Sequence, residues 1–206
     1  MNLLTAHQKL NALAPTFLTT EAASILGISA AHAATLLSRL AKQKTIVHLA
    51  RGRWAYSSSV DPLLLPNILV QPMMAYISLY SALYYHGMID QIPNTIFAIS
   101  NGKTKIFETP LGKISIHSIN PVLFTGYEIY GKHSLLMATP EKSLFDTLYL
   151  MPAKSNLFKR LTEIDIPENF KFSLLKKWLK HVKNKSRRLL IEANINRLQD
   201  NLRRSL

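Results

Sequence analysis

Apolar and polar positions recur at helical spacing through the first fourteen residues of the chain. Leu3, Leu4, Leu10 and Leu13 lie among polar side chains, and Pro15 follows them. Because proline cannot continue a helix, this pattern predicts a first helix that ends before Pro15.

Two further helical patterns follow, separated by a glycine. The stretch from Phe17 to Ser29 contains a short alanine-rich helical pattern, with a threonine as the expected cap and Gly27 as the left-handed residue that ends the helix. Ser29 can cap a third helix, from Ala30 to about Lys42. Its inward positions are Ala33, Leu36, Leu37 and Leu40. Two short helices joined by a tight turn predict a helix-turn-helix.

Bulky residues then alternate on either side of an Arg-Gly turn. Residues 46–50 and 53–56 predict two short strands, a β-wing with Arg51 and Arg53 at its tip. In a winged helix the second helix enters the major groove and the wing meets flanking phosphates. The candidate DNA-binding residues are Ser29, His32, Thr35, Ser38, Arg39, Arg51 and Arg53. Winged helices also serve as protein-interaction modules, and the alanine-rich helix face leaves that alternative open.

Prolines between positions 58 and 74 predict a domain boundary. The winged helix-turn-helix would then occupy residues 1–65 and a second domain residues 72–206. The linker is apolar, and leaving Leu63 to Leu65 exposed would be costly, so we expect a packed crossing rather than a free tether.

The second domain mixes helical and strand patterns. We expect a buried helix with Ser78 at its N-cap and Gly87 at its end, and a later helix capped by Thr139. Strand-like stretches lie between them at 95–100, 105–108, 113–119 and 127–130. The later helix should bury Leu144, Phe145 and Leu148. The fold class predicted for the whole chain is therefore mixed α/β, of the α+β type.

The C-terminal segment predicts two basic amphipathic helices. The first places its apolar face at Leu174, Leu175, Trp178, Leu179 and Val182, and the second at Ile191, Ile195, Leu198 and Leu202. The cations of a candidate antitoxin or second nucleic-acid surface are Lys176, Lys180, Lys183, Arg187 and Arg188. A solvated face, an acidic partner or a membrane surface are the alternatives.

Composition limits the chemistry and the partners that these patterns can represent. The chain has 206 residues, a formal net charge of +13 and no cysteine, which excludes disulfides and thiolate chemistry. The charge is +5 over residues 1–60, −1 over 61–153 and +9 over 154–206. Two basic ends around a neutral middle favour a polyanion partner. Without a long apolar run or a signal-like start, we expect a cytoplasmic protein that does not enter a membrane.

The commonest catalytic motifs for nucleotide, zinc and acyl-transfer chemistry are missing from the sequence. The seven histidines show no metal-ligand spacing, and His117 is expected to face solvent. Glu141, Lys142 and Asp146 are interpreted as structural, with Lys142 and Asp146 forming a helical ion pair worth about 0.2–0.5 kcal/mol. We therefore expect no enzyme activity, no metal and no cofactor.

Four segments together resemble the AbiEi-type antitoxins of type IV toxin–antitoxin (abortive infection) systems. They are the stretch from Thr19 to Ser29, the Arg51-Gly52 turn, the segment from Tyr76 to Leu83, and the segment from Ala138 to Asp146. The resemblance spans most of residues 16–150.

The resemblance implies a phage-defence antitoxin that represses its own operon by binding operator DNA, with two copies on inverted repeats. It also implies that the protein counteracts a cognate nucleotidyltransferase-like toxin, with or without direct contact. A plain winged-helix regulator without a toxin partner and a nucleic-acid-processing protein remain the alternatives.

Overall fold

The computed structural model describes residues 2–56, 60–131, 135–151 and 164–205. Within them the helices are α1 (Leu3–Leu10), α2 (Thr19–Leu26), α3 (Ala30–Lys42), α4 (Leu65–Val70), α5 (Leu79–Tyr85), α6 (Pro140–Leu150), α7 (Phe172–Leu179) and α8 (Lys185–Ser205). The strands are β1 (Thr16–Leu18), β2 (Val47–Ala50), β3 (Arg53–Ala55), β4 (Ala75–Ile77), β5 (Thr95–Ser100), β6 (Lys105–Thr109), β7 (Gly112–Ser118), β8 (Tyr127–Tyr130) and β9 (Leu135–Ala138). Short 3-10 turns lie at Asn11–Leu13, Pro62–Leu64 and Pro121–Leu123. The chain is thus of the mixed α+β class.

The N-terminal unit follows the order α1, β1, α2, α3, β2, β3. The axes of α2 and α3 differ in direction by 104°. Gly27 has φ of +65° between them, and the Ser29 hydroxyl accepts a hydrogen bond from the His32 amide at 3.3 Å. The left-handed stop, the serine cap and the bounds of α3 confirm the predictions made for this segment.

The start of α2 differs from the prediction. Leu18 rather than a threonine occupies the cap position, and Thr19 is the first helical residue. The Glu21 carboxylate accepts a hydrogen bond from the Leu18 amide at 2.6 Å, which satisfies one of the unpaired donors at the helix start. Glu21 rather than a threonine side chain caps this helix start, and the preceding Leu18 ends β1, a strand that was not predicted.

A three-stranded antiparallel sheet, in the order β1-β3-β2, covers the helices of this unit. Its inner face packs Phe17, Trp54 and Tyr56 against α1, α2 and α3. Trp54 and Tyr56 are each 6% exposed, which confirms their interpretation as core residues rather than base-stacking residues.

The larger sheet has six strands in the order β6-β7-β5-β4-β9-β8. Pairing is parallel between β5 and β7 and between β4 and β9, and antiparallel elsewhere. Strands β4 and β9 were not predicted. Each has only three or four residues, which is too short to show a clear alternating pattern.

Helices pack around this sheet in two groups. Helix α4 contacts β4, β5 and β7, whereas α5 contacts β5 and α6. Helix α6 in turn contacts α7 and α8. Leu144, Phe145 and Leu148 of α6 are buried as predicted.

The two units are joined through the small sheet, whose two faces belong to two different cores. Leu49 and Ala55, on the outer face of the small sheet, belong to the main core, and β2 lies beside β6. The linker is packed as expected, because Leu65 and Leu69 are buried against the main sheet. Residues 58 and 59 of the predicted boundary lie outside the described residues. The small sheet is therefore covered on both faces.

This shared sheet predicts that the two units unfold together. Trp54 reports on the N-terminal core and Trp178 on the main core. In the single-tryptophan variants Trp178→Phe and Trp54→Phe, the urea midpoint from fluorescence should equal that from far-UV circular dichroism, because neither core keeps its sheet packing when the other unfolds. Comparison within each variant removes the effect of the substitution itself. Separate midpoints in either variant would show that the units unfold independently.

Candidate nucleic-acid interface

One face of α3 carries five of the predicted DNA-binding residues. Ser29, His32, Thr35, Ser38 and Arg39 are all exposed. The Thr35 and Ser38 hydroxyls donate to the carbonyls of Ala31 and Ala34, at 3.2 and 2.9 Å. Each hydroxyl oxygen keeps lone pairs to accept further hydrogen bonds. Arg39 is the arginine among these five residues, and its guanidinium gives the face a positive charge.

The hairpin between β2 and β3 separates its two arginines. Arg51 is exposed at the turn, beside Gly52 with φ of +70°. Arg53 lies within β3, and its Nη1 donates to Oε1 of Gln71 at 3.1 Å. Of the two predicted wing cations, Arg51 is thus the one at the tip, while Arg53 joins the small sheet to the linker.

The hairpin turn is held close to the start of α2. The Gly52 carbonyl accepts a hydrogen bond from the Thr19 amide at 2.9 Å. The Trp54 indole N–H donates to the Thr19 hydroxyl at 2.9 Å. The turn therefore extends little beyond β1, and the position of Arg51 is fixed relative to α2 and α3.

The predicted basic surface of the C-terminal segment is divided between two helices. Lys176, Lys180 and Lys183 are exposed along α7 and the turn after it. The Asn184 side chain accepts a hydrogen bond from the Arg187 amide at 2.9 Å and so caps α8. Because a new helix begins there, the cations do not continue along one axis.

Arg187 and Arg188 lie in the first turn of α8 and differ in environment. The Arg187 guanidinium carbon is 5.0 Å from the centre of the Tyr149 ring, a cation–π contact with α6. Arg188 is exposed. The predicted site residues are therefore found in three places: the α3 face, the β2–β3 hairpin, and the surface of α7 and α8.

Beneath the basic helices lies a fully buried ion pair. The Lys142 ammonium donates to Oδ1 of Asp146, and both side chains are 0% exposed. Oδ2 of Asp146 accepts hydrogen bonds from the Ser78 hydroxyl at 2.8 Å and the Tyr76 hydroxyl at 2.9 Å. These contacts agree with the interpretation of Lys142 and Asp146 as structural residues. The energy expected for an exposed helical ion pair does not apply to them, because burial strengthens the attraction between the charges and adds a desolvation cost.

Burial dominates the electrostatics of this network. It raises the pKa of the Asp146 carboxyl, while the ammonium and the two hydroxyl donors act to lower it. It lowers the pKa of Lys142, against the opposing effect of the Asp146 charge. It also raises the pKa of Tyr76 well above its ordinary value, helped by the nearby carboxylate. A group that loses its partner here would be left as an isolated buried charge.

Three aromatic rings surround the Lys142 ammonium. Its nitrogen lies 5.3 Å from the centre of Phe145, 5.6 Å from Trp178 and 5.7 Å from Tyr76. Gly126 borders the same space, where an added Cβ would lie 2.6 Å from a ring carbon of Trp178. Because Trp178 belongs to α7, this enclosure positions the helix that carries the predicted lysines.

Other chemistry-bearing residues occupy structural positions. His117 was expected to face solvent, but it is half-buried against Phe97 and 3.0 Å from the Ser115 hydroxyl, and burial lowers its pKa. His117 follows Ile116 on β7, where the adjacent residues Ser115 and Ile116, which point to opposite faces of the sheet, are both buried. Among the described residues no group of three or more His, Asp or Glu side chains is placed to hold a metal ion. In the same part of the chain no single helix is long and apolar enough to cross a membrane.

Comparison with known proteins adds no assignment. No protein-family model matches the chain, and no curated protein matches it.

The buried pair predicts strongly non-additive effects on stability. Lys142→Met should lower the free energy of unfolding by about 3–5 kcal/mol, because it leaves the Asp146 carboxylate buried without its counter-ion. Adding Asp146→Asn should recover part of that loss, since an amide carries no charge and still accepts from Ser78. Urea denaturation measures both.

Lys177→Met provides the matched control, because Lys177 is an exposed lysine on α7. Its effect should stay within about 0.5 kcal/mol. A Lys142→Met variant no less stable than this control would contradict the role assigned to the pair.

Proposed function

We propose that this protein is a DNA-binding antitoxin that represses its own operon through an N-terminal winged helix-turn-helix. In this proposal α3 is the recognition helix and the β2–β3 hairpin is the wing. The order α1, β1, α2, α3, β2, β3, with a three-stranded antiparallel sheet, supports this assignment.

The observation that carries the DNA-binding part is the exposed polar face of α3. Ser29, Thr35 and Ser38 offer hydroxyls, and Arg39 offers a cation for a phosphate or a guanine edge. The inner face of α3 is buried, so only the outer face is free to enter a groove. Arg51 lies on the neighbouring hairpin, where a wing meets flanking phosphates.

The antitoxin part is supported by the resemblance of the middle-domain motifs to AbiEi-type antitoxins. The cognate toxin would be nucleotidyltransferase-like and encoded beside this protein. Co-expression of the two genes tests this directly: growth arrest by the neighbouring gene should be relieved by the full chain. Failure of relief, combined with intact operator binding, would favour a plain winged-helix regulator.

Salt dependence tests the assigned DNA contacts. Binding to the DNA upstream of the gene should weaken on Arg39→Ala or Arg51→Ala, and if each residue meets one phosphate the log–log salt slope should fall in magnitude by about 0.9 per variant. Fluorescence anisotropy at several salt concentrations measures the slope. Lys9→Ala is the control, because Lys9 is exposed on α1. An unchanged slope for both folded arginine variants would refute the assignment.

The exposed lysines of α7 and the turn after it are proposed to serve either protection from the toxin or cooperative operator binding. Replacing Lys176, Lys180 and Lys183 with Glu should impair one of these while leaving binding to a single half-site nearly unchanged, because α3 is not altered. Gel-shift titration on single and paired half-sites, with the growth assay, distinguishes them. A triple variant that equals wild type in all three measurements would make these lysines a solvated surface only.

A further inference from the structure

A cavity lies between the linker and the edge of the large sheet. Its volume is about 550 Å³, within the range of about 300–1,000 Å³ that is typical of small-molecule sites. One wall is the segment that follows α4, and the other is formed by the start of β6, the loop before it and the end of β7. We call it the linker cavity, and the lining residues that determine its chemistry are Gln71, Met73, Asn101, Lys103, Lys105 and Ser118.

Direct contacts hold the two walls of the linker cavity together. The Ser100 hydroxyl donates to the Met74 carbonyl at 2.7 Å, and the Met74 amide donates to Oδ1 of Asn101 at 3.0 Å. Gly102 lies against the opposite wall, since an added Cβ would be 3.1 Å from Cγ of Met73. The protein itself therefore positions both walls, as in a pre-formed site.

Both amide side chains in the linker cavity have their oxygen atoms occupied. Oε1 of Gln71 accepts from the Arg53 guanidinium at 3.1 Å, and Oδ1 of Asn101 accepts from the Met74 amide. A guanidinium and a backbone amide are donors only, so these bonds fix which end of each side chain is the acceptor. Gln71 and Asn101 therefore keep their NH₂ groups to donate to a ligand.

Lys103 and Lys105 give the linker cavity a positive charge. Both are exposed, and neither takes part in an ion pair within the described residues. None of the described residues that line the cavity is an Asp or a Glu. Glu108, farther along β6, lies on the opposite face of the strand from Lys105 and pairs with Lys113 at 3.4 Å.

One carboxylate borders the neighbouring cavity. Glu21 lines that cavity together with Arg53, which carries the opposite charge, and Gln71 lines both cavities. The Glu21 carboxylate already accepts from the Leu18 amide at 2.6 Å. Glu21 therefore leaves the linker cavity with its positive character.

A lining of donors and cations without a carboxylate fits an anion with several acceptor oxygens, and lysine is a common phosphate ligand. We propose that the linker cavity binds the phosphate groups of a nucleotide. Lys103 and Lys105 would meet the phosphate oxygens, and the NH₂ groups of Gln71 and Asn101 would donate to the remaining acceptors. The cavity is larger than a phosphate alone requires, and Met73, which is 47% exposed, offers an apolar surface to the base.

A free nucleotide and a nucleotide within a nucleic-acid strand present the same phosphate chemistry to this cavity. Binding here is independent of operator recognition by α3, because α3 contributes no residue to the lining. Loss of nucleotide binding and loss of operator binding are therefore separate observations.

Calorimetric titration of the full chain with ADP, in phosphate-free buffer, tests the site. ADP should bind, and adenosine should bind far more weakly because it lacks the phosphate charge. Lys103→Glu combined with Lys105→Glu should weaken ADP binding by about tenfold or more. The matched control is Lys9→Glu combined with Lys177→Glu, which changes the net charge equally at exposed lysines outside the cavity.

Asn101→Asp is the nearly isosteric variant. Its carboxylate still accepts from the Met74 amide, so the walls should stay in place, but a negative charge replaces the donating NH₂ group. ADP binding should fall by about tenfold or more, while the melting temperature without ADP should stay close to that of the wild type. An Asn101→Asp chain that binds ADP as tightly as the wild type would overturn the proposal.

A single-stranded oligonucleotide distinguishes the two sources of the nucleotide. Displacement of ADP by the oligonucleotide, lost in the Lys103→Glu, Lys105→Glu chain and kept in the control pair, would mean that the cavity takes a nucleotide of a strand. ADP that stays bound in an excess of oligonucleotide would mean that it takes a free nucleotide. Failure of the wild-type chain to bind either probe in this cavity, or equal loss of binding in the control pair, would overturn the proposal.

Discussion

The carboxylate of Asp146 is the constraint on which the larger unit depends. It accepts hydrogen bonds from Tyr76 on β4 and Ser78 at the start of α5, and it pairs with Lys142 within α6. One buried charge thereby joins a central strand and two helices. Ser78 lies at the cap position of α5, yet its hydroxyl donates to Asp146 and makes no capping hydrogen bond to the helix. Leu79, the next residue, has φ of +56°, an unfavourable conformation for leucine that the surrounding packing maintains.

The same network determines where the basic surface lies. Lys142 is enclosed by aromatic rings that include Trp178, so its burial and the docking of α7 require each other. The exposed lysines of α7 have fixed positions because the opposite face of the helix covers this charge. Apolar packing alone could hold α7 against the core. It would not fix the rotation of α7 about its own axis relative to a specific polar group such as Lys142.

The small sheet relates the two ends of the molecule. Its inner face packs on the helices that include α3, and its outer face contributes Leu49 and Ala55 to the main core. Composition predicts a domain boundary at the prolines, but it does not reveal that both cores share β2 and β3. Strands of three or four residues carry too little pattern to show that both of their faces are buried, and for the same reason β1, β4 and β9 were not predicted.

The sequence by itself determined the locally encoded features: the bounds of α3, the Gly27 stop, the serine and threonine caps of α3 and α6, and the Arg51-Gly52 turn. Each depends on residues within one or two turns of chain, where capping and left-handed glycine act. The tertiary structure alone decided that Lys142 and Asp146 are fully buried and that Arg53 reaches Gln71. These outcomes depend on contacts between residues distant in the chain, and hydrophobic periodicity carries no information about which distant partner a polar group meets.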